Sequence, residues 1–138
     1  MENMDTENYT VSSTYSDMAQ EVIEEHSDLH WIKTADVRID YIASLKEKKS
    51  KGKLILGECQ LVKEIWKLYC PYDFLIIIYE PNVHGMSYEQ LKILLYHELL
   101  HVDVSDKDGE PQYEVNPHDI EDFKAIINKY GLDWAENG

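Results

Sequence analysis

Residues 87–102 read Ser-Tyr-Glu-Gln-Leu-Lys-Ile-Leu-Leu-Tyr-His-Glu-Leu-Leu-His-Val, and this stretch decides the fold. Leucine, isoleucine and valine occur on nearly every side of the helix that it predicts. A helix of this kind is buried in the protein core. Ser87 is a suitable N-cap, and Glu89 is an acid in the first turn, where the helix dipole favours it. We therefore expect a buried helix from Ser87 to about Val102.

The same helix carries His97-Glu98-Leu-Leu-His101, which matches the pattern H-E-x-x-H. Residues four apart lie on one helix face, so the two imidazoles can bind one zinc ion, each at ~2.0–2.1 Å. Glu98 lies about 100° further round, because the helix has ~3.6 residues per turn, and it can take a proton from zinc-bound water. We predict one zinc per chain, with His97 and His101 as ligands and Glu98 as catalytic base. The alternative is two core histidines that are hydrogen-bonded to the backbone.

A catalytic zinc commonly has three protein ligands and one open position. His118 is the best candidate for the third ligand, since it lies in the first turn of a helix predicted from its N-cap, Asn116, to about Tyr130. The alternative is an exposed histidine at a helix start. Asp119 and Asp122 are candidates to hydrogen-bond a ligand imidazole, although Asp119 is equally typical of a first helical turn. Three carboxylates are weaker candidates for the third ligand: Asp103, Glu114 and Asp122.

A metallopeptidase also needs a group that stabilises the oxyanion of its transition state. Tyr113, Tyr130 and His84 have suitable side chains, but their spacing favours none of the three. The chain contains ten tyrosines, so the residue type alone does not select one.

The rest of the chain predicts an α+β domain. Residues 1–15 are polar and are expected to form a disordered tail, whereas apolar residues at helical spacing predict a helix from Ser16. Residues 103–116 predict an irregular loop or a small hairpin. We expect residues 16–138 to form a single domain. Three segments have the alternating or fully apolar pattern of strands: residues 37–45, 53–62 and 73–79.

The composition restricts the partners that the protein can have. The chain has 138 residues, with 13 basic and 27 acidic side chains and a formal net charge of −14. This charge disfavours nucleic acids and anionic membranes as partners, and it suits a cationic metal or a basic partner. Residues 46–53 are a basic exception, for which a solvated hairpin loop is the simplest interpretation and a binding patch the alternative. Cys59 and Cys70 are too few for a disulfide framework, so we expect free thiols.

Residues 1–16 have neither a cationic start nor an apolar run, so they are not typical of a signal peptide. No segment reaches the ~18 consecutive apolar residues that a membrane span requires. We therefore expect the protein to act in the cytoplasm.

With these motifs in hand, the chain resembles the putative phage metallopeptidase family over roughly residues 30–136. The resemblance is densest in four segments: residues 72–79, 94–101, 117–123 and 130–134. It implies a minimal zincin-like fold, in which a small antiparallel or mixed sheet of three to four strands packs against the H-E-x-x-H helix and a C-terminal helix. It also implies zinc ligands at His97, His101 and His118, Glu98 as base, and a phage or prophage origin.

Three functions remain open at this point. The first is a zinc-dependent peptidase that acts on a protein or peptide. The second is a non-catalytic, zinc-stabilised module that binds and sequesters a host protein, which the small size and acidic surface favour. The third is a peptidase for DNA-bound proteins, as in the more distantly similar SprT-like zincins. The acidic charge and the absence of a Cys-rich zinc ribbon count against the third, and the sequence favours no oligomeric state.

Overall fold

The computed structural model describes residues 6–116, which form an α+β fold with one mixed sheet and two short hairpins. The helices are α1 (Ser13–Glu25), α2 (Trp31–Thr34), α3 (Glu80–Val83) and α4 (Tyr88–Leu99), with 3-10 turns at Ser27–Leu29 and Glu64–Leu68. The strands are β1 (Tyr9–Val11), β2 (Ile39–Ser44), β3 (Lys49–Ser50), β4 (Lys53–Leu54), β5 (Gly57–Leu61), β6 (Phe74–Tyr79), β7 (Val102–Lys107) and β8 (Glu110–Val115). The α+β class predicted from the sequence is confirmed.

The main sheet has the strand order β1-β2-β6-β5. The two inner strands, β2 and β6, are parallel, and the outer strands β1 and β5 are antiparallel to their neighbours. Nearly all of β6 is buried, as its apolar residues on both faces predict. The sheet is therefore mixed and four-stranded, within the range expected for a small zincin-like domain.

Helices α1 and α4 pack against each other over one face of this sheet. Each large apolar side chain that is fully buried contributes about 1.5–3 kcal/mol to stability. The large side chains of this core that are almost inaccessible to solvent come from both helices, from β6 and from the 3-10 turn after α1: Val22, Leu29, Ile76, Ile78, Leu95 and Leu99. The position of α4 is consequently fixed by the centre of the core.

The N-terminal region differs from its expected disorder. Tyr9–Val11 forms β1 and pairs with β2, and α1 begins at Ser13 rather than at Ser16. The Ser12 hydroxyl accepts a hydrogen bond from the backbone N–H of Tyr15 at 3.1 Å, which caps the helix. Three residues are enough to pair with an edge strand, but they are too few to give a clear strand pattern in the sequence.

Helix α4 also ends earlier than predicted, at Leu99 instead of about Val102. The reason is the hairpin that follows, in which β7 pairs with β8 from Val102 onward. Its turn residues, Asp108 and Gly109, have φ values of 55° and 82°, the geometry of a type I′ turn. Of the two alternatives for residues 103–116, the small hairpin is the one observed.

The predicted strand at residues 53–62 is divided into β4 and β5. β4 pairs back onto β3 through Lys51 and Gly52, whose φ values of 54° and 79° form a second type I′ turn. The basic segment is thus a hairpin, as its simplest interpretation predicts.

Candidate metal centre

Helix α4 holds the central residues of the candidate site, and both its start and its rotation are fixed. The Ser87 hydroxyl accepts the backbone N–H of Gln90 at 3.1 Å, and the Gln90 side chain accepts the Ser87 N–H at 2.9 Å. This capping box satisfies two N–H groups at the helix start. Because the leucine face of α4 is buried in the core, His97 and Glu98 are also held inside, with 8% and 4% exposure.

His101 lies just beyond the end of α4, yet it stays near His97. Its backbone N–H donates to the carbonyl of Glu98, three residues earlier, at 3.1 Å, which adds a final tight turn to the helix. The ring centres of His97 and His101 are 5.4 Å apart, and the ring planes make an angle of 77°. Two imidazoles on a tetrahedral zinc have ring centres about 5 Å apart, given Zn–N distances of ~2.0–2.1 Å. The spacing of the pair therefore fits a shared metal ion.

A hydrogen bond selects the tautomer of His101. Its Nδ1 donates to the backbone carbonyl of Asn116, and the Asn116 N–H donates to the carbonyl of His101. A carbonyl can only accept, so Nδ1 carries the proton and Nε2 carries the lone pair that a metal requires. Metal-binding histidines usually donate their second nitrogen in this way. The chemistry of the donor set thus fits zinc.

The carboxyl group of Glu98 lies against the first residue of β5. A Cβ atom added to Gly57 would lie 3.0 Å from the carbonyl oxygen of Ile77 and 3.5 Å from Oε2 of Glu98. The tight contact at Gly57 is therefore with the neighbouring strand β6, whereas the Glu98 carboxyl group would lie at ordinary van der Waals distance from the added atom. Burial raises the pKa of Glu98 to about 8, and the negative charge of Glu58 adds to the rise. Burial and the Glu98 charge also raise the pKa of Cys59 to about 12, which keeps this thiol protonated.

A second carboxylate, Glu58, lies close to Glu98 and is held by its own hydrogen bonds. It accepts the Tyr79 hydroxyl at 3.0 Å and the Lys48 ammonium at 3.1 Å. Burial alone would raise the pKa of Glu58, but the hydrogen bonds from Lys48, Gln60 and Tyr79 outweigh it and hold the pKa below its usual value. Sequence reasoning missed this cluster. A glycine within a predicted strand was the one signal of a close approach, and it did not indicate which segment approaches.

The other predicted residues of the described range lie apart from this cluster. The Tyr113 ring packs edge-on against Phe74 with 6.1 Å between ring centres, and the Lys67 ammonium lies 4.3 Å from the centre of the Tyr113 ring. His84 is exposed in the turn after α3. Neither residue contacts Glu98 in the described part of the chain.

The carboxylates considered as third ligands, Asp103 and Glu114, face each other across the β7–β8 ladder. Within residues 6–116, no group of three or more histidine, cysteine, aspartate and glutamate side chains could hold a metal ion. Neither carboxylate therefore completes a three-ligand site with the two histidines. The remaining predicted residues lie outside the described residues: His118, Asp119, Asp122 and Tyr130.

Both cysteines, Cys59 and Cys70, are free thiols, as expected from their number. In the part of the chain that the structure describes, no helix is long and apolar enough to cross a membrane.

Comparison with known proteins places the chain in a family. No match was found among curated proteins or among solved structures. The model of one family, described as "Putative phage metallopeptidase", matches residues 7–137. This match includes α4, the β7–β8 hairpin and His118, and it covers nearly the whole chain. The protein therefore belongs to the putative phage metallopeptidase family.

Proposed function

We propose that this protein is a zinc-dependent peptidase that hydrolyses peptide bonds in a protein or peptide substrate. In this proposal His97, His101 and His118 bind one zinc ion, and Glu98 is the catalytic base. The observation that carries the proposal is the pair of imidazole rings, 5.4 Å apart, next to the buried carboxyl group of Glu98. Membership of a metallopeptidase family supports the same activity.

His118 as third ligand is supported by the place where the described chain ends. Asn116 contacts His101 through both of its backbone polar groups, and two residues of chain span at most about 7 Å. This short separation from Asn116 along the chain is compatible with the proposed third ligand. Asp119 and Asp122 remain candidates for a hydrogen bond to a ligand imidazole, and Tyr130 remains a candidate for the oxyanion.

The reaction divides between the metal and Glu98. Zinc, when bound, supplies Lewis-acid chemistry that lowers the pKa of water and polarises the carbonyl of the substrate. Glu98 accepts the proton of the attacking water at a carboxylate oxygen and then donates it to the leaving amine. Because Glu98 is only 4% exposed, little bulk water competes for that proton.

The proposal is tested with zinc-loaded protein and a peptide library made from a digested bacterial proteome, with cleavage products identified by mass spectrometry. Glu98→Gln should lower cleavage by about 10²–10⁴-fold, the usual contribution of a general base. It should still bind about one zinc per chain by elemental analysis, because no imidazole is changed. Glu89→Gln, an exposed change on the same helix, is the matched control and should retain activity. Full cleavage by Glu98→Gln would exclude this mechanism.

A second candidate function is a non-catalytic module that binds a host protein and uses zinc to stabilise its fold. The 3-10 turn at Glu64–Leu68 and the residue after it expose large apolar side chains, with Trp66 60% and Tyr69 86% accessible. Contiguous exposed apolar surface marks protein interaction sites. The same experiment separates the two functions. A binding module would leave the library uncleaved by the wild type, although zinc is bound and its removal lowers the melting temperature.

The proposed place of action is the cytoplasm of the host cell, with the gene carried by a phage or prophage. The formal charge of −14 supports a protein or peptide as substrate rather than a nucleic acid or an anionic membrane. The same charge makes a peptidase for DNA-bound proteins the least supported of the three functions.

A further inference from the structure

The β3–β4 hairpin with its flanking residues 46–54, called the basic hairpin below, has a charge opposite to that of the chain. Its eight residues 46–53 hold five lysines and one glutamate, a formal charge of +4 in a chain of −14. Among residues 6–116, three of these lysines form no ion pair: Lys46, Lys51 and Lys53. Lys49 makes one exposed contact, 3.8 Å from Glu47. The ammonium groups are therefore accessible to a ligand.

The base of the basic hairpin is held firmly against the rest of the fold. The side-chain amide of Asn82 donates to the backbone carbonyl of Lys48 in the hairpin at 2.9 Å and to that of Ile55, the residue that follows it, at 2.8 Å. The Ile55 N–H donates to the Lys48 carbonyl at 2.9 Å, which closes the hairpin. The Lys48 ammonium also binds Glu58 on β5. These contacts fix where the lysines of the turn are presented.

That place is next to the candidate active site. β5 begins at Gly57, which lies directly beside the carboxyl group of Glu98. Lys53 is four residues before Gly57, and four residues of chain span at most about 14 Å. An extended peptide covers this distance in about four residues, since each rises ~3.3 Å. A substrate whose scissile bond lies at Glu98 can therefore reach Lys53, and through it the basic hairpin, with a residue nearby in its own sequence.

The chemistry of the basic hairpin favours an acidic peptide over a nucleic acid. Leu45 and Leu54, which flank the lysines, are 57% and 50% exposed and offer apolar contacts that suit amino-acid side chains. A nucleic acid would bring a phosphate with every nucleotide toward a chain that is strongly acidic elsewhere. A peptide can place a few carboxylates on the hairpin and neutral residues on the remaining surface.

We propose that the basic hairpin binds acidic side chains of the substrate within about four residues of the cleaved bond. The peptidase would thus select acidic segments of proteins in spite of its own negative charge. This inference rests on the proposed function, because it assigns the hairpin to substrate binding. The binding of an acidic peptide can nevertheless be measured without catalysis.

The test uses full-length, zinc-loaded Glu98→Gln protein and three fluorescent 12-residue peptides that differ only at four clustered positions, occupied by glutamate, glutamine or lysine. Binding is followed by fluorescence anisotropy at low and at physiological salt. The glutamate peptide should bind about tenfold more tightly than the glutamine peptide, less so as salt rises. Lys49→Ser/Lys51→Ser/Lys53→Ser should reduce this preference to about twofold. Lys33→Ser/Lys63→Ser/Lys107→Ser, which removes the same charge from three exposed sites outside the hairpin, should retain it.

Three results would overturn the inference. The first is tightest binding of the lysine peptide. The second is no preference for the glutamate peptide in the protein that keeps its hairpin lysines, or a preference that is unchanged in the hairpin variant. The third is lysine-dependent binding of a 12-nucleotide single strand as tight as that of the glutamate peptide. Thermal unfolding verifies that both variants fold, as expected for exposed changes. The peptide library separates this inference from the proposed function. If the library is cleaved in a Glu98-dependent way but the cleavage sites lack acidic residues nearby, only the inference about the hairpin is contradicted. If the glutamate peptide binds through the hairpin lysines but the library is not cleaved, only the proposed peptidase activity is contradicted.

Discussion

The two hairpins that adjoin the candidate site have nearly the same turn geometry and opposite charges. The turn of the basic hairpin has φ values of 54° and 79°, and the turn of β7–β8 has 55° and 82°. Residues 46–53 hold five lysines and one glutamate, whereas residues 102–115 hold five acids and one lysine. A type I′ turn requires only two central residues with positive φ. The turn geometry therefore does not determine the charge of the other side chains in either hairpin.

Each hairpin adjoins a different residue of the candidate site. The basic hairpin leads into Gly57, beside Glu98, and the β7–β8 hairpin begins directly after His101 and binds its Nδ1 through Asn116. The positively charged hairpin thus lies near the proposed base, Glu98, and the negatively charged hairpin near the proposed metal ligand, His101. Two hairpins of the same backbone geometry thus surround the two residues with different electrostatic environments.

The hairpins differ in the side chains that anchor them. The Asn82 amide anchors the basic hairpin with two neutral hydrogen bonds. The Tyr113 ring joins the β7–β8 hairpin to the sheet through Phe74 and Lys67, and the Lys67 ammonium binds the buried Asp73 at 2.8 Å. One anchor is therefore neutral and the other is ionic, so stability should respond to pH differently at the two places.

The largest effect is expected for Asp73→Asn, which removes the charge beneath the β7–β8 hairpin. Asp73 is 1% exposed and accepts the Lys67 ammonium and the backbone N–H of Arg38 at 2.9 Å. Loss of the carboxylate should lower the free energy of unfolding by about 3 kcal/mol at neutral pH, measured by urea denaturation. Asp106→Asn, an exposed change on the same hairpin, should alter it by less than about 0.5 kcal/mol.

The pH dependence of this effect has a definite sign. Burial alone would raise the pKa of Asp73, but the hydrogen bonds from Lys67 and Arg38 outweigh it and hold the pKa below its usual value. The stabilisation is therefore complete at neutral pH and is lost as the pH falls through the lowered pKa of the folded state. The difference between wild type and Asp73→Asn should narrow in acid. A difference that is the same at neutral pH and near pH 2 would show that the ion pair does not anchor the hairpin.

Much of the α4 region could be predicted from the sequence because its signals are local. Ser87 as N-cap, the buried apolar helix and the two histidines on one face all follow from residues within one segment, and β6 follows from its apolar run. The predicted end of α4 was wrong because the chain reverses at Asp108–Gly109, and residues from Val102 onward consequently pair with β8. Turn chemistry nine residues away thus prevailed over helical propensity.

The parts that sequence reasoning missed depend on contacts between distant segments. The hydrogen bond between His101 and Asn116 arises because two strands of equal length return the chain to its start. The approach of Gly57 and Glu58 to Glu98 depends on β5 being the sheet strand next to α4. The residue pattern of a single segment predicts neither the strand order of a sheet nor its pairing register. The contacts of His101 and Glu98 with these distant residues could therefore not be predicted.

An intermediate effect is expected for Asn82→Asp, which tests the neutral anchor of the basic hairpin. The carboxylate cannot donate to the carbonyls of Lys48 and Ile55, so two hydrogen bonds are lost. Unfolding in urea should show a loss of about 2 kcal/mol, and the preference for the glutamate peptide should weaken because the lysines are no longer held in place. Asn8→Asp is the control, since the Asn8 side chain makes no hydrogen bond among the described residues. Equal stability of Asn82→Asp and the control would refute the anchor.

The smallest effect is expected for alanine at the two turn glycines, Gly52 and Gly109. An added Cβ at either position meets no atom within 4 Å, so the cost comes only from the positive φ values of 79° and 82°. Each substitution should lower the free energy of unfolding by about 1 kcal/mol in urea denaturation, and by nearly the same amount, because the two turns share one conformation. Binding of the glutamate peptide should weaken for Gly52→Ala alone, since only that turn presents the lysines. If Gly109→Ala weakened binding as much, the charges of the two hairpins would not have separate roles.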